Sequence, residues 1–208
     1  MAEKLLRGVV EFRRSDFEEH RKLFESLGRR QTPHTLFIGC SDSRVIPNLI
    51  TKTLPGELFV VRNVGNIVPI YRDPCEHLAT TAAIEYAVQN LGVENIVICG
   101  HSNCGGCAVL YAPEEALSRT PHTRKWLELS SKVRKEVLER LKPKDDAERE
   151  WMTEQLNVVE QMKHLMTYPY IRQKYEKKEI SIHGWHYIIE TGEVYTYDPD
   201  KETFELIK

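Results

Sequence analysis

No run of apolar residues in this chain approaches the roughly 18 needed to cross a bilayer. Nor is there a basic excess: 29 Lys and Arg stand against 31 Asp and Glu, a net charge of −2. The first absence argues against a membrane-spanning protein. The second argues against a nucleic-acid binder, which draws affinity from neutralised phosphates and carries surplus positive charge. The opening MAEKLLRGVVEFRRSDFEEH is too charged to hold the apolar core of a secretory leader. A cytoplasmic protein with neither nucleic acid nor membrane as partner is therefore expected. An even set of cysteines is missing too. Five are present, Cys40, Cys75, Cys99, Cys104 and Cys107, and an odd number without a leader argues against a disulfide framework. In a reducing compartment such a group reads as ligands or reactive thiols. Internal repeats and low-complexity linkers are also lacking, so residues 1–208 are expected to form one domain.

The chain instead alternates short apolar runs with helical patterns. Leu5, Leu6, Val9, Phe17, Phe24 and Leu27 fall near a 3.6 period, predicting an N-terminal amphipathic helix with Gly28 as its stop. TLFIGC (35–40), ELFVVRN (57–63) and ENIVICG (94–100) read as buried strands, and residues 75–92 as a helix ending on Gly92. The charged stretch from His122 to Met166 reads as helices with Trp126, Leu127, Trp151, Leu156 and Leu165 turned inward. Residues 179–198 read as a β-hairpin through Thr191 and Gly192. Apolar strands alternating with helices predict an α/β fold: a mostly parallel central β-sheet flanked by helices, with an N-terminal helix arm and a C-terminal β-hairpin.

Chemistry concentrates at two strand ends. Cys40 closes TLFIGC, while His101 and Cys104 follow NIVICG in the segment CGHSNCGGCAV. If the two strands are neighbours, all three residues meet at the carboxyl edge of the sheet, where open parallel sheets bind ligands. Two thiolates and an imidazole suit zinc. Three protein ligands leave a fourth position for water, as in a catalytic site, whereas adding Cys107 would close a Cys3His structural site. Asp42 and Arg44, in CSDSRV, bear on that choice. A zinc with two thiolates acidifies water less than one with neutral ligands only, and gains from a carboxylate that accepts a hydrogen bond from that water. Arg44 can hold Asp42 ionised and off the metal through a bidentate pair. A closed structural zinc needs neither residue. The rival readings are a surface ion pair for Asp42 and Arg44 and a redox dithiol for Cys104 and Cys107.

These residues resemble the β-class carbonic anhydrases, and bacterial members especially. CSDSR matches the family pattern Cys-x-Asp-x-Arg and HSNC matches His-x-x-Cys, within a similarity running over roughly residues 5–198. The resemblance implies a zinc lyase, carbonate dehydratase, hydrating carbon dioxide reversibly to bicarbonate and a proton. It assigns one zinc per chain to Cys40, His101 and Cys104, and an orienting dyad to Asp42 and Arg44, and leaves Cys107 outside the metal site. It implies a homodimer or homotetramer whose pocket matches Gln31, Phe59, Val64, Tyr86 and Gly105, with Gln31 contributed by the neighbouring subunit. Phe59 and Val64 suit an uncharged substrate, and Gln31 and the Gly105 N–H could orient its oxygen. One position departs from some relatives: Phe37 stands where they carry Trp. With Arg62 and Tyr187, that Trp belongs to a second, inhibitory bicarbonate site, and Phe37 lacks the indole donor. Two alternatives remain: hydrolysis of carbonyl sulfide or carbon disulfide on the same scaffold, and a non-catalytic zinc or redox thiol protein.

Overall fold

The computed structural model describes residues 1–73 and 78–208. Cys75, His77 and the start of the helix expected over 75–92 lie outside the described residues. Six strands form one sheet: β1 (Thr35–Cys40), β2 (Leu58–Asn63), β3 (Asn95–His101), β4 (Ser181–Tyr187), β5 (Val194–Asp198) and β6 (Thr203–Leu206). Their order is β2-β1-β3-β4-β5-β6. The first four are parallel, and β5 and β6 complete an antiparallel edge. The expected α/β sheet and C-terminal hairpin are therefore present, and β6 extends the hairpin by one strand.

Burial of β1 on both faces explains its unbroken apolar run. Leu36 and Ile38 join Ile96, Ile98, Ile84 and Val88 in the main core, while Phe37 packs with Val97 and Cys99 on the opposite face. ELFVVRN behaves differently from the expectation of a buried strand. β2 is the sheet edge, so its residues are half-buried or exposed, and Val60 faces out. Partial exposure of one face is what an edge position imposes.

The N-terminal arm consists of α1 (Ala2–Arg14), α2 (Asp16–Glu19) and α3 (Arg21–Leu27) rather than one helix. None of the three has a buried residue. Gly28 follows with φ −59°, right-handed rather than the left-handed stop expected of it. After β1 comes α4 (Pro47–Thr51). Ahead of β3 lies α5 (Ala79–Glu85), which continues as a π-helical segment, Tyr86–Leu91, and ends at Gly92 with φ 68°. α6 (Gly105–Ala108), α7 (Pro121–Leu127), α8 (Ser131–Glu136), α9 (Asp146–Leu165) and α10 (Pro169–Glu176) follow β3.

α9 overturns part of the expectation for the charged stretch. Leu127 and Leu165 are buried as expected, but Trp151 is 41% exposed and Leu156 only half-buried. The face α9 buries carries Thr153, Glu154, Asn157, Gln161 and His164. Apart from Thr153, which bonds the Tyr111 hydroxyl, these side chains satisfy loop backbone that no ladder reaches. Asn157 donates to the Gly65 carbonyl at 2.9 Å, Gln161 accepts from the Val68 N–H at 2.8 Å, and His164 Nδ1 lies 2.7 Å from the Val68 carbonyl.

Candidate metal centre

β1 and β3 are in register at Gly39 and Cys99. Cys40 sits one residue beyond that pair on β1, and His101 two beyond it on β3. The chain leaves β1 for β2 on one side and reaches β3 on the other. That makes the gap between their carboxyl ends a topological switch point. Past β3 the backbone turns sharply, with Asn103 at φ 54°, a left-handed conformation that asparagine tolerates better than most residues. The turn brings Cys104 back beside His101.

Cys40, His101 and Cys104 are all buried, and their ligand atoms lie within 4.8 Å of one another; no other such group occurs among the described residues. The two sulfurs are 4.0 Å apart. Two zinc–sulfur bonds of about 2.3 Å at a tetrahedral angle would place them about 3.8 Å apart. His101 Nδ1 donates to the Ser102 carbonyl at 2.9 Å, which leaves Nε2 as the bare nitrogen, and Nε2 is buried with no partner. An unpartnered imidazole nitrogen aimed between two thiols fits a soft divalent cation. Cys40 is pushed up to about 12 by its hydrogen bond with Cys104 and by burial, and Cys104 is raised chiefly by its hydrogen bond with Cys107. Ligation must therefore displace both thiol protons.

Asp42 and Arg44 meet as expected. Asp42 forms a turn in which Oδ1 accepts the Arg44 backbone N–H at 2.9 Å. Arg44 Nε donates to Oδ1 at 2.9 Å and Nη2 to Oδ2 at 2.8 Å. These bonds hold the Asp42 carboxyl well below the usual carboxylate range. Asp42 Oδ2 nevertheless stays 3.9 Å from His101 Nε2. The carboxylate thus borders the three donors while both of its oxygens remain tied to arginine.

Other residues complete the support. Arg62 on β2 donates from Nε to the Cys40 carbonyl at 2.9 Å and from Nη2 to the Asp42 carbonyl at 2.6 Å. Phe37 packs edge-on against Trp185 with ring centroids 6.2 Å apart. Arg44 Nη2 also reaches the Asn103 carbonyl at 3.1 Å, joining the Asp42–Arg44 pair to the loop that carries His101 and Cys104. Glu190, in the turn after β4, accepts from Ser102 Oγ at 2.8 Å and from Asn103 Nδ2 at 2.5 Å. Sequence reasoning missed Glu154 and Glu190. Each lies some 50 or more residues beyond the motif it serves, in a segment with no distinguishing spacing.

Cys107 packs beside Cys40 and Cys104 but lies outside the three-donor group. The glycine between it and Gly105 has a steric reason. A Cβ on Gly106 would come within 3.0 Å of the Gly65 backbone, whereas one on Gly105 would meet open space, so close packing of α6 accounts for Gly106. Cys107→Ser is expected to keep the metal content of the wild type, measured per chain after purification. Loss of the metal would make Cys107 a fourth ligand.

The residues matched to a pocket divide into two patches within the chain. Val64 lies against α6, its Cγ1 3.3 Å from where a Gly106 Cβ would sit, and Gly105 begins α6 directly after Cys104. Phe59 and Tyr86 form a ring pair with centroids 6.0 Å apart. Gln31 is exposed in a groove with Arg29, Arg30 and Tyr86, and none of the groove's lining residues is a member of the three-donor group.

Comparison with known proteins agrees along nearly the whole chain. The family profile described as carbonic anhydrase matches residues 35–194. A carbonic anhydrase of Helicobacter pylori (strain J99) is 43% identical over 204 residues, covering 97% of this chain and 92% of that protein. One from Synechocystis is 40% identical over 196 residues, covering 94% of this chain and 71% of that one. The solved structure of the β-carbonic anhydrase CcaA superposes with a TM-score of 0.95 at 38% identity, covering 100% of this chain and 92% of its own. A tetrameric β-carbonic anhydrase of Sordaria macrospora gives 0.81 at 35% identity, with 93% and 95% covered. With the fold, the three-donor cluster and these similarities in agreement, the chain belongs to the carbonic anhydrase family, as a member of its β class.

Proposed function

We propose that this protein hydrates carbon dioxide reversibly, converting carbon dioxide and water to bicarbonate and a proton, with one zinc held by Cys40, His101 and Cys104. The observation that carries this reading is the pairing of an open three-donor cluster with a carboxylate clamped beside it. When bound, zinc supplies a Lewis acid that makes hydroxide available near neutral pH. The chain's own residues do the rest. Asp42 Oδ2, with lone-pair capacity left after its bond to Arg44, accepts a hydrogen bond from the attacking water and thereby directs that oxygen's lone pair. Arg44 keeps Asp42 ionised and at a fixed distance from His101, so the carboxylate does not take up the open ligand position. Val64 and Gly105 border the space beside Cys104. The first offers an apolar wall, and the second a backbone N–H to orient a substrate oxygen. Phe59 and Tyr86, with Gln31 of a neighbouring subunit, complete the pocket.

That last role requires a second copy of the chain. The arm supports it. α1 buries nothing, leaving Leu5 73%, Leu6 68% and Val9 60% exposed, an apolar stripe of the kind that marks an association surface. Leu5 and Val9 share one helix face at i and i+4. The double variant Leu5→Asp, Val9→Asp is expected to sediment as a smaller species than the wild type. An unchanged mass would remove the arm from the interface.

The function is tested by stopped-flow carbon dioxide hydration on samples with measured zinc content. Activity should rise in proportion to zinc and reach its maximum at about one zinc per chain. Fully loaded protein with no hydration activity would refute the proposal. Among the described residues no helix is long and apolar enough to cross a membrane.

A further inference from the structure

Burying a carboxylate is costly unless its oxygens are satisfied. Glu154, on α9, is 4% exposed. Its Oε1 accepts the backbone N–H of Cys104 at 2.9 Å, and its Oε2 faces His186 Nε2 at 3.2 Å. His186, on β4, is fully buried, and its other ring nitrogen, Nδ1, has no partner. The imidazole is therefore committed to Glu154 alone. Trp151 stands edge-on to it at 4.9 Å and Phe204 at 6.3 Å, fixing the plane of the ring. None of these residues belongs to the two sequence motifs.

The peptide that Glu154 grips is an awkward one. Cys104 follows the left-handed Asn103 and precedes a four-residue helix whose first turn has no side-chain cap. Cys104 is 2% exposed, so its N–H would be a buried orphan without Glu154. Glu190 and Arg44 hold the same loop, but only at Ser102 and Asn103 and from the exposed side. Glu154 alone among these fixes the residue that carries the second sulfur.

We propose that Glu154, held in place by His186, is a positioning residue for Cys104 that presets this sulfur against Cys40 and His101 and slows release of the metal. The proposal rests on reading the three-donor cluster as a metal centre. It adds a second layer to that centre, in which α9 and β4 brace Cys104. Groups that orient metal ligands typically contribute about 10–100-fold in metal affinity.

The test uses the full chain loaded with zinc, or with cobalt(II) as a spectroscopic probe, and compares wild type with Glu154→Leu and Glu154→Gln. Zinc transfer to a chelator should be about 10–100-fold faster in Glu154→Leu, and the thiolate-to-cobalt absorption band should shift. Glu154→Gln keeps one acceptor oxygen for the Cys104 N–H and nearly the same shape. It should fold as the wild type does and release metal at an intermediate rate. Ile171→Val, in the main core away from the loop, should leave both readouts unchanged. Release rates and bands indistinguishable from wild type in both Glu154 variants would overturn the proposal. So would an equal effect from Ile171→Val, which would reduce it to general destabilisation. If the wild type itself takes up no metal, the metal-centre reading fails and this proposal with it. If the wild type binds one ion and ignores Glu154, only this proposal fails.

Discussion

Asp42→Asn is expected to leave the zinc content unchanged and to lower carbon dioxide hydration by on the order of 10²–10⁴-fold, the usual share of a positioned proton acceptor. That loss corresponds to about 3–5 kcal/mol of transition-state stabilisation. The side chains are nearly isosteric, so the effect isolates chemistry from packing. Asp42 presents an acceptor oxygen to each of Arg44 Nε and Nη2. Asn can present one oxygen only, and its amide nitrogen would set donor against donor. The amide also lacks the charge that makes the carboxylate a strong acceptor for the attacking water's hydrogen bond. Zinc analysis and stopped-flow rates on the same preparation decide the matter. Near-normal turnover with full zinc would remove Asp42 from the mechanism, whereas loss of zinc would make it a ligand rather than an orienting group.

Cys40→Ala should abolish both metal retention and activity. Cys40 is the proposed ligand furthest from the others in sequence, and its removal leaves two donors, His101 and Cys104. The change should also separate binding from folding. Zinc at about 1,000 times its dissociation constant adds roughly 4 kcal/mol to the stability of the protein that binds it. For a chain of this size each kcal/mol moves the melting temperature by about 2–4 °C. The wild type should therefore lose on the order of 10 °C on chelation, while Cys40→Ala should melt at the same temperature with and without chelator. A Cys40→Ala protein that still carries one zinc would show that the donor set is misassigned.

Three elements illustrate how far sequence patterns reach. β1 matched its expected limits because a short, mostly apolar run between polar turns suits a strand buried on both faces. β2 reads almost as apolar, yet it is an edge strand, because position in the sheet is a property of topology rather than of the run itself. In α9 the inward face is mostly polar, with Val158 and Leu165 its apolar members, so a pattern that assigns apolar residues to the inside turned Trp151 the wrong way. The demand that made it polar is the unsatisfied backbone of loops 92 to 96 residues away, which no local window contains.

The sequence by itself determined the donor types, the Asp42–Arg44 spacing and the α/β class, because ligand chemistry, turn length and hydrophobic period are local properties. It also carried the open-site inference, since counting ligands against the carboxylate beside them needs no coordinates. Only the tertiary structure decided that Cys40 meets a histidine sixty-one residues later. That meeting depends on β1 lying between β2 and β3, an order set by packing the whole sheet against its helices. The same packing brought Glu154 and His186 under Cys104. Hydrogen bonds between residues so far apart follow from which elements become neighbours, and neighbours are chosen by burial across the domain rather than by any single stretch of chain.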